Sequence, residues 1–316
     1  MNVKVLIADK FPEVFIEEMK KLNLEVIYSP KLGEADIPQA AKDVDIIVVR
    51  STKVNADAIN QSQKLKLIIR AGSGVNNINI AAATPKGVSV ANCPGMNSVA
   101  VAELAIGLML SLDRRIPDNV SDFHKGVWNK GEYSKSEGLL GKNLAIIGVG
   151  AIGREVAKRA ISFGMNVYGK DIVQIESIGI HYFNELNKVL PSIDIISIHL
   201  PSNPETKGLF NKEMFGYLKP GCLLINTSRA EVIDEDALLE AITTKNIKVA
   251  LDVFKGEPEQ KDGAVLSKLQ GNKNIYVTHH IGASTEQAQN AVAEETVNII
   301  KEYINSGRVL HCVNLT

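Results

Sequence analysis

The apolar and polar positions of the chain alternate between two periods over its first third. Short apolar runs rich in β-branched residues are separated by stretches with helical spacing. The pattern predicts strands at Val3–Ala8, Leu24–Ser29, Ile46–Val49, Leu67–Ile69 and Val88–Ala91, with helices near Val14–Leu22, Ile37–Lys42, Asn55–Gln61 and Ile78–Pro85. Strands that alternate with helices in this way are typical of βαβ units and of a parallel sheet.

The same alternation returns in the second half of the chain. It predicts strands at Leu144–Ile147, Asn166–Tyr168, Ile195–Leu200, Leu223–Asn226, Val249–Val253 and Ile275–Thr278, and a closing helix from Thr285 to Asn305. Short strands with intervening helices match a doubly wound nucleotide-binding fold. The predicted fold class is therefore α/β, with two Rossmann- or flavodoxin-like doubly wound parallel-sheet domains.

Between the two alternations lies Val99–Leu112, which is apolar on nearly every face and follows the possible helix cap Asn97-Ser98. A helix with so little polar surface must be buried, either between domains or against another subunit. We therefore predict a two-fold homodimer. The segment contains Glu103 and is shorter than the span of about 20 residues that crosses a membrane, so no membrane insertion is expected.

A glycine-rich sequence, Gly148-Val149-Gly150-Ala151-Ile152-Gly153, lies between a predicted strand and a predicted helix. This order seats a dinucleotide pyrophosphate on backbone N–H groups at a helix N-terminus. Asp171 follows Gly148 by 23 residues, where a carboxylate binds the adenosine ribose and repels a 2′-phosphate. NAD is the predicted cofactor, although Lys170 leaves NADP open.

The glycine-rich sequence lies almost halfway along the chain, so the residues before it must form another domain. We predict a cofactor domain at 98–285 and a split substrate-binding domain at 1–97 and 286–316. Three segments at predicted strand ends carry polar groups suited to hydride transfer: Asn226–Arg229, Leu251–Pro258 and Thr278–Gly282. Carboxyl ends of parallel strands are where α/β folds bind ligands, so an Arg, a Glu and a His could form one site there.

Composition narrows the class of protein further. The 316 residues carry a net charge of −1, which gives no overall attraction to nucleic acid. The N-terminus does not resemble a signal peptide. Three widely spaced cysteines, Cys93, Cys222 and Cys312, lack ligand-like spacing, so we expect reduced thiols and no metal site. We predict a cytoplasmic protein without a nucleic-acid or membrane partner.

The chain resembles the D-isomer specific 2-hydroxyacid dehydrogenases, and most closely the members that oxidise 3-phospho-D-glycerate. The resemblance runs over nearly the whole chain. It includes the glycine-rich sequence, the three strand-end segments, and the runs Val49–Val54, Arg70–Ile78, Val101–Leu104 and Ser162–Met165. It implies a small, phosphorylated 2-hydroxy or 2-keto acid as substrate, with NAD as cofactor.

Catalytic roles follow from the same resemblance. Arg229 matches the arginine that binds the substrate carboxylate and polarises the carbonyl. His280 matches the proton-transferring histidine because it precedes Ile-Gly, and Glu257 matches the glutamate that orients the imidazole and raises its pKa. Asp252 matches a residue that contacts the nicotinamide end of the cofactor. His279 departs from the pattern, where many members have Pro, and chemistry alone does not separate it from His280.

Substrate and further cofactor contacts are also candidates. In the family the turn Ser73-Gly74-Val75 offers backbone N–H groups to the substrate carboxylate, while Arg50, Lys53 and Arg70 match positions near a substrate phosphate. Asn97 either faces the ligand or caps the next helix. For the cofactor pocket, the further candidates are His199, Thr206 and the backbone of Ser228.

The resemblance implies oxidation of 3-phospho-D-glycerate to 3-phosphohydroxypyruvate, which begins serine synthesis. A hydroxypyruvate or glyoxylate reductase, or another D-2-hydroxyacid dehydrogenase, would keep the same site. A non-enzymatic, NAD-sensing corepressor would keep the fold. Longer members carry a serine-binding regulatory domain after the cofactor domain, and since this chain stops at Thr316 we expect no feedback through that route.

Overall fold

The computed structural model describes residues 3–175, 179–258 and 263–315. The chain forms two compact units. Unit 1 comprises Met1–Asn97 and Ser284–Thr316, and unit 2 comprises Ser98–Ala283. The assignment of substrate to unit 1 and cofactor to unit 2 stays a prediction.

Unit 1 is built on a parallel sheet. Its strands are Lys4–Ile7 (β1), Glu25–Tyr28 (β2), Ile46–Val49 (β3), Leu67–Arg70 (β4) and Ser89–Asn92 (β5), in the order β2-β1-β3-β4-β5. Its first helices are Glu13–Lys21 (α1), Ile37–Ala40 (α2), Ala56–Gln61 (α3) and Ile80–Ala83 (α4), followed by a 3-10 turn at Thr84–Lys86. The predicted flavodoxin-like sheet is confirmed, and each strand pairs in parallel with its neighbours.

Unit 2 begins with three helices, Ser98–Arg114 (α5), Ile116–His124 (α6) and Lys130–Tyr133 (α7). Its strands are Asn143–Ile147 (β6), Asn166–Lys170 (β7), Ile180–Tyr182 (β8), Ile195–Ile198 (β9), Leu223–Asn226 (β10), Lys248–Leu251 (β11) and Ile275–Val277 (β12). The helices between them are Ala151–Ser162 (α8), Leu186–Val189 (α9), Lys212–Tyr217 (α10) and Glu235–Lys245 (α11), with 3-10 turns at Leu190–Ser192 and Ala230–Val232.

The parallel strands of unit 2 run in the order β12-β11-β10-β9-β6-β7-β8. The order reverses at β6, the switch point that characterises a doubly wound nucleotide-binding sheet. The sequence pattern predicted all of these strands except β8. That strand was missed because its central residue is the exposed His181, whereas the equally short edge strand β12 has no charged or strongly polar residue.

Helix α5 is buried within its own unit. It lies against α8 and β10, and its buried residues include Ala102, Ala105 and Met109. The apolar sequence of this helix is therefore explained without a second subunit, which removes the argument for a homodimer that was based on it. Exposed apolar side chains lie instead on the next segment, at Ile116, Val120, Phe123, Val127 and Trp128. The homodimer stays a prediction.

The last helix, Glu286–Ser306 (α12), belongs to unit 1. Its buried residues, among them Val297 and Ile300, share a core with β-strand residues such as Val5 and Ile7. Thr285 caps its N-terminus by accepting the N–H of Ala288. Within the described residues, no helix has the length and apolarity needed to cross a membrane.

Candidate active site

The glycine-rich turn between β6 and α8 has two glycines that the fold itself requires. Gly148 has φ +96°, and a Cβ there would lie 2.5 Å from the carbonyl oxygen of His199. A Cβ on Gly153 would lie 2.1 Å from the carbonyl oxygen of Gly148. Both contacts are with backbone atoms that cannot move aside, so these two glycines secure the turn and the close approach of helix to strand.

The reason for glycine at the middle position, Gly150, is different. Gly150 is the N-cap of α8 with φ −69°, and a Cβ there would meet no heavy atom of the described residues within 4 Å. Neither backbone strain nor packing within the protein calls for glycine here. The open space lies at a helix N-terminus, where the N–H groups at the start of α8, including Ala151 and Ile152, lack intrahelical partners. These residues fit a pyrophosphate.

Asp171 follows β7 directly and is tied to the glycine-rich turn. Its Oδ2 accepts the backbone N–H of Val149 at 2.6 Å, and its Oδ1 accepts the N–H of Val173 at 3.3 Å. The carboxylate therefore has a fixed position beside the helix N-terminus and retains lone pairs for hydroxyl donors. That arrangement fits an adenosine ribose.

His199 lies just beyond β9, between the glycine-rich turn and β10. Its Nε2 is 2.8 Å from Ser197 Oγ, and its Nδ1 is 3.4 Å from Thr227 Oγ1. Burial lowers the pKa of His199 to about 3, so the ring is neutral. A neutral ring that holds two strand ends together suits a pocket wall and not proton transfer.

Two further candidate cofactor contacts, Thr206 and Ser228, have side chains that are hydrogen-bonded within their own turns. The hydroxyl of Thr206 donates to the carbonyl oxygen of Pro201 at 2.6 Å. The hydroxyl of Ser228 donates to Asn226 Oδ1 at 2.7 Å. Their side chains stabilise their own turns, and any contact of these residues with a cofactor stays a prediction.

The turn after β10 places Arg229. Asn226 is fully buried; its Oδ1 accepts the Ser228 N–H at 3.0 Å, and its Nδ2 donates to the Arg229 carbonyl at 2.9 Å. The guanidinium of Arg229 donates to the Ser228 carbonyl at 2.7 Å, which leaves other N–H groups of the fork for an anion.

His280 and Glu257 form a pair. The Nδ1 of His280 lies 2.8 Å from Oε2 of Glu257, whose Oε1 accepts the backbone N–H of Phe254 at 2.9 Å. The hydrogen bond to the carboxylate is the main cause that raises the pKa of His280 above its usual value, and partial burial opposes it. His280 has φ +52°, an uncommon conformation for a non-glycine residue that is typical of functional sites.

Asp252 secures the turn that carries His280. This buried carboxylate accepts the hydroxyl of Thr278 at 2.6 Å and the backbone N–H groups of Ile281 at 2.9 Å and Gly282 at 2.8 Å. The backbone N–H of His280 donates to the Asp252 carbonyl at 3.0 Å. A nicotinamide contact by Asp252 stays a prediction, whereas its bonds to the His280 turn are observed.

The three groups come from adjacent strands. Arg229 follows β10, Glu257 follows β11 and His280 follows β12, and these strands are neighbours in the sheet. The glycine-rich turn follows β6 at the same carboxyl edge. Both histidines are exposed, and the hydrogen bond to Glu257 distinguishes His280 from the adjacent His279. One sheet edge of unit 2 thus carries a cation, a paired imidazole and a dinucleotide-type turn.

The cations predicted to bind a phosphate lie at the carboxyl edge of the unit 1 sheet. Val49 pairs with Arg70, so Arg50 and Arg70 end neighbouring strands. Oδ2 of Asp9, 7% exposed, accepts the backbone N–H groups of Arg50 at 2.7 Å, Ser51 at 2.9 Å and Thr52 at 3.0 Å. The exposed Lys53 lies 4.0 Å from a carboxylate oxygen of Glu34.

The turn Ser73-Gly74-Val75 lies next to this cluster. The Ser73 hydroxyl donates to Asn97 Oδ1 at 2.8 Å, and the Ser73 carbonyl accepts the side-chain N–H of Asn92 at 2.6 Å. Asn77 links the turn to the Arg50 loop by donating to the Thr52 carbonyl at 2.8 Å. The structure therefore brings all the predicted substrate contacts of unit 1 to one edge.

Two residues at these edges were missed by sequence reasoning. Asp9 organises the Arg50 loop, and its signal was an acid placed directly after a buried strand. Gly72 has φ +148°, and a Cβ there would lie 1.7 Å from Nη1 of Arg70, so this glycine makes room for the guanidinium. Nothing local in the sequence shows that relationship. The described residues contain no group of three or more His, Cys, Asp or Glu side chains that could hold a metal.

Comparisons with known proteins agree with this geometry. The family model described as "D-isomer specific 2-hydroxyacid dehydrogenase, NAD binding domain" matches residues 106–282. A D-3-phosphoglycerate dehydrogenase of Methanocaldococcus jannaschii is 38% identical over 319 residues, which cover 99% of this chain and 60% of that protein. A hydroxypyruvate reductase of Thermotoga maritima is 41% identical over 288 residues, covering 90% of this chain and 92% of that protein.

A solved structure is similar over the whole chain. The cofactor (NAD⁺)-bound 3-phosphoglycerate dehydrogenase of Entamoeba histolytica matches with a TM-score of 0.84 and 28% identity, covering 100% of this chain and 99% of that one. The chain spans 60% of the length of the Methanocaldococcus jannaschii relative.

Proposed function

Because the chain belongs to the D-isomer specific 2-hydroxyacid dehydrogenase family, with the family's NAD-binding domain at residues 106–282, we propose that it interconverts a D-2-hydroxy acid and the corresponding 2-keto acid. The observation that carries this proposal is the 2.8 Å contact between His280, which follows β12, and Glu257, which follows β11. Strand β11 is the neighbour of β10, which Arg229 follows. An imidazole with a bonded carboxylate is equipped for proton transfer.

The chain's residues divide the chemistry among them. Gly150 and the N-terminus of α8 would hold the NAD pyrophosphate, and Asp171 the ribose. When bound, the cofactor would supply the hydride acceptor (NAD⁺) for oxidation or the hydride donor (NADH) for reduction. Arg229 binds the substrate carboxylate and polarises the carbonyl, because its fork of N–H donors matches a planar anion.

His280 moves the proton at the C2 oxygen. Its Nδ1 is bonded to Glu257, so Nε2 is the nitrogen left for the substrate. During reduction of a keto acid the protonated imidazole gives its proton to the C2 oxygen, and during oxidation the neutral imidazole accepts it. Glu257 favours the protonated form, and Asp252 holds the turn on which the ring is carried.

For the substrate, we infer 3-phospho-D-glycerate, oxidised to 3-phosphohydroxypyruvate. Support comes from the Methanocaldococcus jannaschii relative, named D-3-phosphoglycerate dehydrogenase, and from Arg50, Lys53 and Arg70 at one edge of unit 1. A phosphate dianion is bound most strongly by such clustered cations. The second candidate, a hydroxypyruvate reductase, is favoured by the 92% of the Thermotoga maritima protein that this chain covers.

A steady-state comparison tests both candidates. The substrates are 3-phosphoglycerate, glycerate, hydroxypyruvate, glyoxylate and D-lactate, each with NAD(H) and NADP(H). We expect the highest kcat/KM with 3-phosphoglycerate and NAD, since specificity is a ratio of these values. A higher value with hydroxypyruvate would establish the second candidate. Absence of turnover with every substrate would contradict both and favour an NAD-sensing binding protein.

Cation variants separate phosphate recognition from general damage. Arg50→Ala and Lys53→Ala should raise KM for 3-phosphoglycerate more than KM for glyoxylate, because only the first carries a phosphate. Lys66→Ala is the matched control, since this exposed cation precedes β4 at the opposite edge of the sheet from Arg70. Equal changes for both substrates would refute the phosphate assignment.

A further inference from the structure

A second acid holds the turn that carries Glu257. Glu235 is the first residue of α11 and is only 4% exposed. Its Oε1 accepts the backbone N–H of Lys255 at 2.7 Å, across 20 residues of sequence. A buried carboxylate needs such a partner, because removal from water is costly for a charged group.

The 254–257 turn is thus held at consecutive N–H groups by two different carboxylates. The Phe254 N–H donates to Oε1 of Glu257, and the Lys255 N–H donates to Oε1 of Glu235. The side chain of Phe254 is 7% exposed and packs in the core of unit 2, while Gly256 reverses the chain with φ +84°. The Lys255 N–H is therefore the hydrogen-bonded group directly before Gly256, where the chain turns toward Glu257.

Helix capping does not explain Glu235. Asp234 already performs that task, since its side chain accepts the N–H groups of Asp236 and Ala237. Asp236 points to the surface and pairs with Lys268. Of the three consecutive acids, Glu235 alone bonds to the turn that leads to the imidazole.

We propose that Glu235 is a positioning residue for the reaction. By fixing the Lys255 N–H it holds the 254–257 turn so that Oε2 of Glu257 meets Nδ1 of His280. The assignment rests on the proposed dehydrogenase function, but the contact between Glu257 and His280 can be followed without turnover.

The test is an NMR titration of the His280 imidazole in the full chain, with the resonance assigned by its loss in His280→Asn. The charged groups that act on this ring are Glu257, Asp252 and Arg229. The variants are Glu235→Ala, Glu235→Gln and Glu257→Ala, with Asp236→Ala as the matched control from the same helical turn. The pH profile of kcat/KM is measured alongside.

In Glu235→Ala the pKa of His280 should fall toward its value in Glu257→Ala, and kcat/KM should fall by about 10- to 100-fold, as for other residues that orient a catalytic partner. Glu235→Gln keeps an acceptor oxygen and should restore the pKa of His280. Asp236→Ala should match wild type. In the Glu257→Ala background, Glu235→Ala should cause no further loss, because both changes act through one contact.

An unchanged pKa of His280 in folded Glu235→Ala would overturn the proposal, as would an equal fall in Asp236→Ala or in Glu235→Gln. If Glu235→Ala does not fold, Glu235→Met supplies a side chain of similar volume without the acceptor and takes the same titration. Absence of turnover in the wild-type protein would refute the dehydrogenase function, whereas the titration would still decide the role of Glu235.

Discussion

His280 and Glu257 lie 23 residues apart in the chain, and their side chains meet at 2.8 Å between Nδ1 and Oε2. The contact fixes the ring orientation, because one imidazole nitrogen is committed to the carboxylate and the other is left for a ligand. It also raises the pKa of His280. The same carboxylate therefore orients the ring and is the main cause of its raised pKa.

Replacement of Glu257 by Gln should move the pH dependence of keto acid reduction. The protonated form of His280 is the active acid, so kcat/KM falls as pH rises through its pKa. Without the carboxylate this pKa falls, and the descending limb of the profile should shift to lower pH. Glu240→Gln, which removes an exposed acid of the same unit, should leave the limb in place. An unshifted limb in Glu257→Gln would show that another group titrates there.

The same pair should make stability depend on pH. A histidine whose pKa is raised on folding stabilises the native state below its unfolded pKa, and this contribution is lost as pH rises through the raised value. The Tm difference between wild type and Glu257→Gln should therefore shrink from acid to alkaline pH. A difference that is constant across this range would mean that the ion pair does not act on stability.

His280→Ala should reduce turnover by at least about 100-fold, the low end of the effect of a general acid or base. His279→Ala should have a milder effect, because His280, and not His279, is hydrogen-bonded to Glu257. Steady-state kcat for both variants, with far-UV circular dichroism to confirm folding, makes the comparison. Equal losses in the two variants would defeat the assignment of His280.

Alanine substitutions at two glycines of the nucleotide turn should affect different properties, stability at Gly153 and NAD binding at Gly150. Gly153→Ala places a Cβ 2.1 Å from the Gly148 carbonyl oxygen and should lower stability by about 1–3 kcal/mol, the usual cost of overpacking. Gly150→Ala meets no described atom within 4 Å and should keep the wild-type Tm while weakening NAD binding. Thermal melts and NAD titrations separate these effects. Wild-type affinity in Gly150→Ala would argue against a pyrophosphate at this turn.

Asp171→Ser should relax the preference for NAD. Loss of the carboxylate removes repulsion of a 2′-phosphate, so the ratio of kcat/KM for NADP to that for NAD should rise by about tenfold or more, which is about 1.4 kcal/mol. The Val149 N–H loses its acceptor, so a small fall in Tm should accompany the change. Glu185→Ser, at an exposed acid of the same unit, is the control. An unchanged ratio would show that Asp171 does not bind the adenosine ribose.

The sequence alone determined the architecture because the period of apolar residues reports which face of each element is buried. Buried runs such as Ile46–Val49 predicted central strands, and the glycine-rich sequence predicted the nucleotide turn from its place between strand and helix. The three-residue strand Ile180–Tyr182 escaped this reasoning, since the exposed His181 at its centre interrupts the apolar run.

Only the tertiary structure decided which polar groups are hydrogen-bonded to each other. Glu235 and Lys255, and Asp252 and Gly282, are joined by strand order and chain reversals that no local pattern encodes. The same holds for α5, whose apolar sequence required burial but did not say against what. Hydrophobic periodicity is a local property of the chain, whereas a hydrogen bond between distant residues depends on how the sheet is assembled.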